Sequence, residues 1–291
     1  MARGSGVDAP IAGGIAAAVE AAQNADIVVL SIGENEQMSG ESRSRSDIEI
    51  PPAQQDLADA VVATGKPVVV LLRNGRALAL KGGVRKADAL VVTWFLGSQT
   101  GAAIADVLYG DVNPSGRLPV SFPQTPGQVP YYYSHKRTGR PLLADAPAQM
   151  YRARYLDTTN DALYPFGYGI GYARIRYDTL ALESARMPWD GPLRVHARIT
   201  NTGAREAEEV VQLYIGARSA SVTRPVRELK GFRKVRVGPG QSRDVDFTLT
   251  RADLMFIGQD LKPTVEPGTF DLWVGPSATQ GLRSSFVLAS E

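Results

Sequence analysis

The chain has 291 residues, 44% hydrophobic and 21% charged, long enough for two globular domains and ordinary for a globular protein. Lys and Arg number 32 against 30 Asp and Glu, a formal charge of +2, too balanced to argue for a nucleic-acid surface. It has no cysteine, which excludes disulfides, thiolate catalysis and zinc–thiolate sites, and its apolar runs are too short to span a membrane.

The opening residues, Met1 to Gly6, carry no apolar signal core, so either the chain stays inside the cell or a signal lies on an upstream segment. Ile15 to Ala25 is Ala-rich and helical in pattern, and Ile27–Ile32 reads as a strand. Pro52 to Thr64 reads as a helix with proline in its opening turn, stopped by Gly65. Lys66–Leu72 is a continuous apolar run expected to form a strand buried on both faces. Ala89–Trp94 is a third strand and Ser98–Tyr109 a third helix closed by Gly110. Alternation of this kind predicts an α/β fold, a mainly parallel sheet sandwiched by helices. Sites in such sheets form beyond the carboxyl ends of the strands.

Residues 111–172 are rich in Pro, Gly and Tyr, with turn signals at Asn113-Pro-Ser-Gly116, Thr125-Pro-Gly127 and Pro165-Phe-Gly-Tyr-Gly169. So long an irregular connection is functional or wraps between domains. From about residue 173 the rhythm has period two: Leu193–Thr200, Glu209–Ile215, Lys230–Val237, Arg243–Thr250, Gly268–Val274 and Arg283–Leu288. This predicts an all-β immunoglobulin or fibronectin type III-like sandwich. The expected domains are residues 1–125, an irregular connection over 126–172, and 173–291.

The segment after Ile27-Val-Val-Leu30 stands apart. Glu34, Glu36, Glu41, Arg43, Arg45 and Asp47 fall within one Gly/Ser-rich loop at the position where α/β sheets place their sites. A carboxylate held in a loop can reach into a cleft, and glycoside cleavage needs a carboxyl group to protonate the leaving oxygen.

These residues carry a resemblance. Gly33-Glu34 after a strand, Glu41-Ser-Arg-Ser-Arg-Ser-Asp47 with Ile50-Pro51, Arg73-Asn-Gly-Arg76, Thr93-Trp-Phe-Leu-Gly97 and Ala105-Asp-Val-Leu-Tyr-Gly-Asp111 occur in order. Asn113-Pro-Ser-Gly-Arg-Leu-Pro119 and Tyr164-Pro-Phe-Gly-Tyr-Gly169 follow. Over nearly its whole length the chain resembles glycoside hydrolase family 3, in particular the bacterial periplasmic β-glucosidases. That resemblance implies an α/β sandwich and a fibronectin type III-like domain preceded by a (β/α)8 barrel, which these 291 residues leave no room for. It implies a retaining mechanism without a cofactor, on a terminal β-glucoside or a related sugar. The Asp nucleophile and most sugar contacts would belong to the barrel, and Glu41 on the sandwich domain would be the acid/base. It also implies a periplasmic or extracellular location, which the residues themselves leave open. A chain carrying one of the two carboxylates cannot complete a double displacement.

The runner-up for the acid/base is Glu34, which sits at the strand end and is better read as a loop anchor bonded to backbone or arginine; Glu36 is expected to be exposed. Arg43, Arg45 and Asp47 orient Glu41, touch a sugar hydroxyl, or hold the loop by pairing among themselves and with Glu34. Trp94 is read as core packing rather than a sugar platform. Tyr131 to Tyr133, with His135, Lys136 and Arg137, read as domain-interface packing. His196, one of two histidines, stands in an alternating strand, and no metal motif is present. Gly167-Tyr-Gly169-Ile-Gly171 lacks the strand and helix a nucleotide loop requires. The leading reading is the barrel-less part of a β-glucosidase-type hydrolase whose partners are an oligosaccharide or aryl β-glucoside and a separate barrel; the alternative is a non-catalytic module binding carbohydrate or a partner chain. Nucleic acid and membrane are not expected partners. An apolar face on the α/β domain, promoting self-association, is expected as well.

Overall fold

The computed structural model describes residues 1–141 and 151–290; part of the connection expected over 126–172 therefore lies outside the described residues. The chain divides into two compact units, Met1–Tyr109 with Phe122–Pro130, and Gly110–Ser121 with Tyr131–Glu291.

In the first unit α1 (Gly14–Gln23), β1 (Val28–Gly33), α2 (Pro52–Val62), β2 (Val68–Arg73), α3 (Gly82–Lys86), β3 (Ala89–Val92) and α4 (Thr100–Tyr109) follow one another. The strands form a parallel sheet in the order β1-β2-β3. The helix α2 opens on Pro52, whose missing N–H is no loss in a first turn, and it ends where Gly65 takes φ 74°. Its inner face, Ala53, Leu57, Ala58 and Val61, is buried together with Leu30, Ile32, Val68, Val70 and Leu72 of the sheet.

One expected element ends early and one element was not expected. The third strand stops at Val92 rather than Trp94, because Trp94 turns into the left-handed region at φ 51°. Thr93 still donates its N–H to the Leu72 carbonyl at 2.9 Å, so the ladder outlasts the strand by one bond. The short helix α3 begins on Gly82-Gly83, which carry no helical pattern to read.

The second unit is a β-sandwich. One sheet has the order β4 (Ile175–Leu182), β6 (Leu193–Asn201), β9 (Ser242–Leu249). The other runs β5 (Arg186–Met187), β13 (Leu282–Leu288), β12 (Gly268–Gly275), β7 (Ala207–Ala217), β8 (Glu228–Val237), all neighbours antiparallel except β5 with β13. A two-stranded ribbon pairs β10 (Phe256–Ile257) with β11 (Pro263–Thr264). Strand β6 alternates buried Leu193, Val195, Ala197 and Ile199 with outward Arg194, His196 and Arg198. The buried set packs with Val211, Leu213, Ile215, Phe247, Leu272, Phe286 and others into one core. An α/β unit followed by this sandwich is the architecture expected from the sequence.

The Pro- and Gly-rich motifs of the connection find each other within the second unit. Leu118 donates its N–H to the Tyr168 carbonyl at 2.9 Å, Gly167 to the Leu118 carbonyl at 2.8 Å, and Tyr172 to the Asn113 side chain at 2.8 Å. Arg117 ties the seam to β7 through Glu209 at 2.8 Å, and Tyr177 donates its hydroxyl to the other Glu209 oxygen at 2.9 Å. Burial pushes the Glu209 carboxyl above its ordinary range, while Arg117 and the Tyr177 hydrogen bond pull it back.

Candidate active site

The carboxyl end of the parallel sheet is built from three successive turns: 34–49 after β1, 74–81 after β2 and 93–99 after β3. Strand β1 must end tightly here. At Gly33, φ 133°, a Cβ would lie 1.8 Å from the Arg73 carbonyl oxygen, so only glycine lets the two strand ends close. Gln54 of α2 clamps the same residue, accepting its N–H at 2.6 Å and donating to its carbonyl at 2.9 Å.

Glu34 follows at once. Its side chain is fully buried, and its carboxylate is surrounded: Arg45 at 2.9 Å and Arg76 at 3.0 Å on one oxygen, the Gly75 N–H at 3.0 Å on the other. A buried carboxylate is tolerated only with such pairing. Arg45 also donates to the Glu49 carbonyl at 2.9 Å, and Arg76 to the carbonyls of Met38 and of Arg43, the latter at 2.8 Å. Both arginines thus bridge the buried anchor to the backbone of the loop, holding it at 38, 43 and 49. Gly75 has no room for a side chain, since a Cβ would meet Ser39 Oγ at 1.8 Å.

The tip of the loop is unlike its root. Glu41 is exposed, and among the described residues its carboxylate makes no hydrogen bond or ion pair. It is flanked by Gly40 at φ 142° and Ser42 at φ 58°, two backbone conformations that turn the chain sharply on either side of it. Arg43 donates its N–H to the Gly40 carbonyl at 3.2 Å, and its guanidinium to Gln37 at 3.1 Å. Asp47 accepts the Glu49 N–H at 2.8 Å, a local turn closed by its own side chain. The loop therefore presents two free carboxylates, Glu36 near its root and Glu41 at its tip, on a base fixed by the neutralised Glu34.

Of the residues singled out in the sequence, Glu34 and Arg45 meet, Arg43 and Asp47 each shape the loop locally, and Glu36 is exposed. Two members of the arrangement escaped the sequence reading: Arg76 and Gly75. The motif Arg73-Asn-Gly-Arg76 was the available signal, but nothing local in it reveals a partner about forty residues earlier. Trp94, half-buried, sets its ring edge-on to buried Phe122 at 6.3 Å between centroids. Tyr133 stacks on Phe166 at 4.2 Å and accepts the Leu229 N–H within the second unit, while Tyr132 is exposed. His196 pairs across strands with Asp246, both exposed. The glycines of 167–171 serve close packing: a Cβ on Gly167 would strike Gln212 and one on Gly169 the Gly116 carbonyl. Among the described residues no group of three His, Asp or Glu converges as a cation site would require.

Known proteins match this architecture. The model of the glycosyl hydrolase family 3 C-terminal domain matches residues 5–172, and that of the fibronectin type III-like domain matches 209–278. A periplasmic β-glucosidase of Salmonella typhimurium is 46% identical over 93% of this chain, and a β-xylosidase of Formosa agariphila 38% over 95%. Among solved structures, the β-glucosidase of Listeria innocua in complex with gluconolactone superposes with a TM-score of 0.94 at 38% identity over 98% of the chain. The chain spans 35% of the Salmonella relative, 37% of the Formosa relative and 39% of the Listeria chain.

Proposed function

Because the chain belongs to glycosyl hydrolase family 3 through that C-terminal domain, we propose that it is the acid/base half of a retaining β-glucosidase, with Glu41 as the acid/base. The observation that carries this is the division of labour inside one loop. Glu34 is engaged by two arginines and a backbone N–H and has no oxygen free to exchange a proton with a substrate. Glu41 has a free carboxyl group on a firmly held turn.

Retaining hydrolysis needs two carboxyl groups about 5–5.5 Å apart. In the first step Glu41 gives its proton to the leaving glycosidic oxygen as a nucleophilic carboxylate attacks the anomeric carbon. In the second, the ionised Glu41 takes a proton from the water that hydrolyses the glycosyl–enzyme. The nucleophile is assigned to an N-terminal barrel on polypeptide outside these 291 residues, in line with the greater length of the relatives. The substrate class is a terminal β-linked glucose, or xylose, on a short oligosaccharide or aryl aglycone, since relatives of both kinds are matched. A periplasmic or extracellular location is part of this reading, supported by the name of the Salmonella relative. The working domain division remains residues 1–125 for the α/β sandwich domain, 126–172 for the connection and 173–291 for the fibronectin type III-like domain.

The test is hydrolysis of p-nitrophenyl β-D-glucoside by this chain and by Glu41→Gln. Neither is expected to turn over. Activity in the chain that the variant loses would place the second carboxylate within these residues and overturn the division between halves. The alternative, an accessory module, predicts glucan binding by the chain that Glu41→Gln leaves unchanged.

A further inference from the structure

The connection between β7 and β8 in the second unit, residues 218–227, is rich in arginine and hydroxyl groups. It borders a concavity of about 280 Å³ lined by Arg137, Arg218, Ser219, Ser221, Thr223 and Arg224, among others. Ligand pockets run from about 300 Å³ upward, so this one suits a single small group. Arg137 comes from a distant segment. That segment is laid alongside by the Val226 N–H, which donates to the His135 carbonyl at 2.9 Å, and by an antiparallel bridge between Lys136 and Pro225. The connection itself is pinned. Ser221 donates its N–H to Glu266 at 2.9 Å, and Gln259 donates to the Ser221 carbonyl at 2.9 Å.

The charge of this wall is not balanced from within. Arg224 is buried, its side chain 6% exposed; Glu228 holds it at 2.8 Å, and it lies over the Phe256 ring at 4.4 Å from the centroid. Glu228, however, also serves Lys230 at 3.3 Å. Arg218 donates Nε and Nη2 to one oxygen of Asp271, the oxygen that Arg283 shares at 3.0 Å. Arg137 is exposed and makes no hydrogen bond or ion pair among the described residues. Arg137, Arg218, Arg224, Lys230 and Arg283 are thus set against Glu228, Glu266 and Asp271, an excess of positive charge. Guanidinium groups lining one small concavity repel one another unless an anion lies between them. Their planar forks match the paired oxygens of a carboxylate or a sulfate.

The remaining donors point to what carries the anion. Arg218 Nη1 and the hydroxyls of Ser219 and Thr223 have no partner among the described residues. A free inorganic anion needs only the arginines and leaves those hydroxyls idle. A sugar bearing the charge uses both sets, gaining a hydrogen bond for each hydroxyl it meets.

We propose that this concavity binds an acidic sugar, a hexuronate or a sulfated hexose, with its charged group between Arg137 and Arg218 and its hydroxyls on Ser219 and Thr223. That a sugar carries the charge rests on the proposed function; the excess of cations does not. The site lies in the fibronectin type III-like domain, and so tethers the protein to a charged glycan through the unit that carries no proposed chemistry.

The experiment is isothermal titration of the full 291-residue chain. The ligands are methyl β-D-glucuronoside, glucose 6-sulfate, methyl β-D-glucoside and sodium sulfate. The two acidic sugars should bind at least about tenfold more tightly than either the neutral glucoside or inorganic sulfate, each of which lacks one set of contacts. Raising NaCl from about 0.05 M to about 0.5 M should weaken their binding severalfold by screening. Arg137→Ala removes no internal partner, so it should melt like the parent and bind the acidic sugars at least about tenfold more weakly. Arg218→Gln, which leaves Asp271 its contact with Arg283, should weaken them likewise. No binding of the acidic sugars, equal binding of the neutral glucoside, or parent affinity in Arg137→Ala would overturn the proposal. Inorganic sulfate binding as tightly as the acidic sugars would also overturn it, assigning the concavity to free anions. Glu41→Gln should bind the acidic sugars like the parent; loss of binding there would place them at the acid/base loop instead. Hydrolysis of p-nitrophenyl β-D-glucoside tests the proposed function separately, because the concavity can fill whether or not the chain is half of an enzyme.

Discussion

The two units solve the same burial problem to different degrees. In the sandwich, two sheets face each other and bury Leu213, Ile215, Leu272 and Phe286 to 1% exposure or less; each sheet is the other's cover. In the α/β unit Leu30, Ile32, Val70 and Leu72 are buried, while Ile27 and Val29 stand in solvent. A sandwich is self-sufficient in its own chain segment, whereas a parallel sheet depends on crossovers, and hence on strands before and after it. The proposed chemistry resides in this less closed unit.

Substitutions can break or sharpen this contrast. The largest effect belongs to the closed core: Leu272→Ala should destabilise the sandwich by about 3 kcal/mol, the cost of a cavity in a rigid interior. Calorimetry should show one of two melting transitions shifted and the other unmoved; a shift in both would mean the units unfold together.

Arg76→Ala comes next, at about 2 kcal/mol, because it removes one of two ionic partners of the buried Glu34 and frees the backbone at Met38 and Arg43. The loss should fall on the α/β transition, with faster proteolysis between residues 35 and 47. An unchanged loop would mean that Arg45 and Gly75 suffice.

Asp271 of the sandwich gives a smaller, pH-dependent effect. Burial alone would raise its carboxyl, but hydrogen bonds from Arg218 and Arg283 prevail and hold it below the ordinary range. A lowered folded-state pKa means that the stabilisation is present above the unfolded value, about 3.9, and is lost as pH falls through the folded one. Asp271→Asn should cost on the order of 1 kcal/mol at pH 7, limited by the solvent around both arginines, and almost nothing near pH 2. Equal losses at both would contradict the ionic account.

The smallest effect is the most informative for the loop. Glu41→Gln should change stability by less than about 0.5 kcal/mol, as expected for an exposed side chain without partners. A large loss would show that Glu41, like Glu34, is part of the framework.

Much of this was legible in the residues, and the exceptions have physical causes. Val68–Leu72 announces a buried parallel strand, and the alternation at Leu193–Thr200 a sandwich strand with one wet face. Strand β4 went unread because a bulge between Tyr177 and Thr179 shifts its alternation out of phase. The end of β3 went unread because the left-handed turn at Trp94 is unusual for a bulky residue. Glu34 was recognisable as an anchor from its place at a strand end. Its partner Arg76 was not, because the pairing joins the ends of two neighbouring parallel strands and depends on their register.

The central claim, that Glu41 gives and takes the proton, is tested most directly by the dependence of rate on the leaving group. The chain completed by the Salmonella N-terminal portion would be compared with its Glu41→Gln form on a p-nitrophenyl and an alkyl β-D-glucoside. A good leaving group departs with little protonation, while an alkoxide needs the acid. The account predicts a loss of about 10²–10⁴-fold on the alkyl glucoside and a much smaller loss in glycosylation of the enzyme by the aryl one. Equal losses on both, or no loss on the alkyl glucoside, would contradict it.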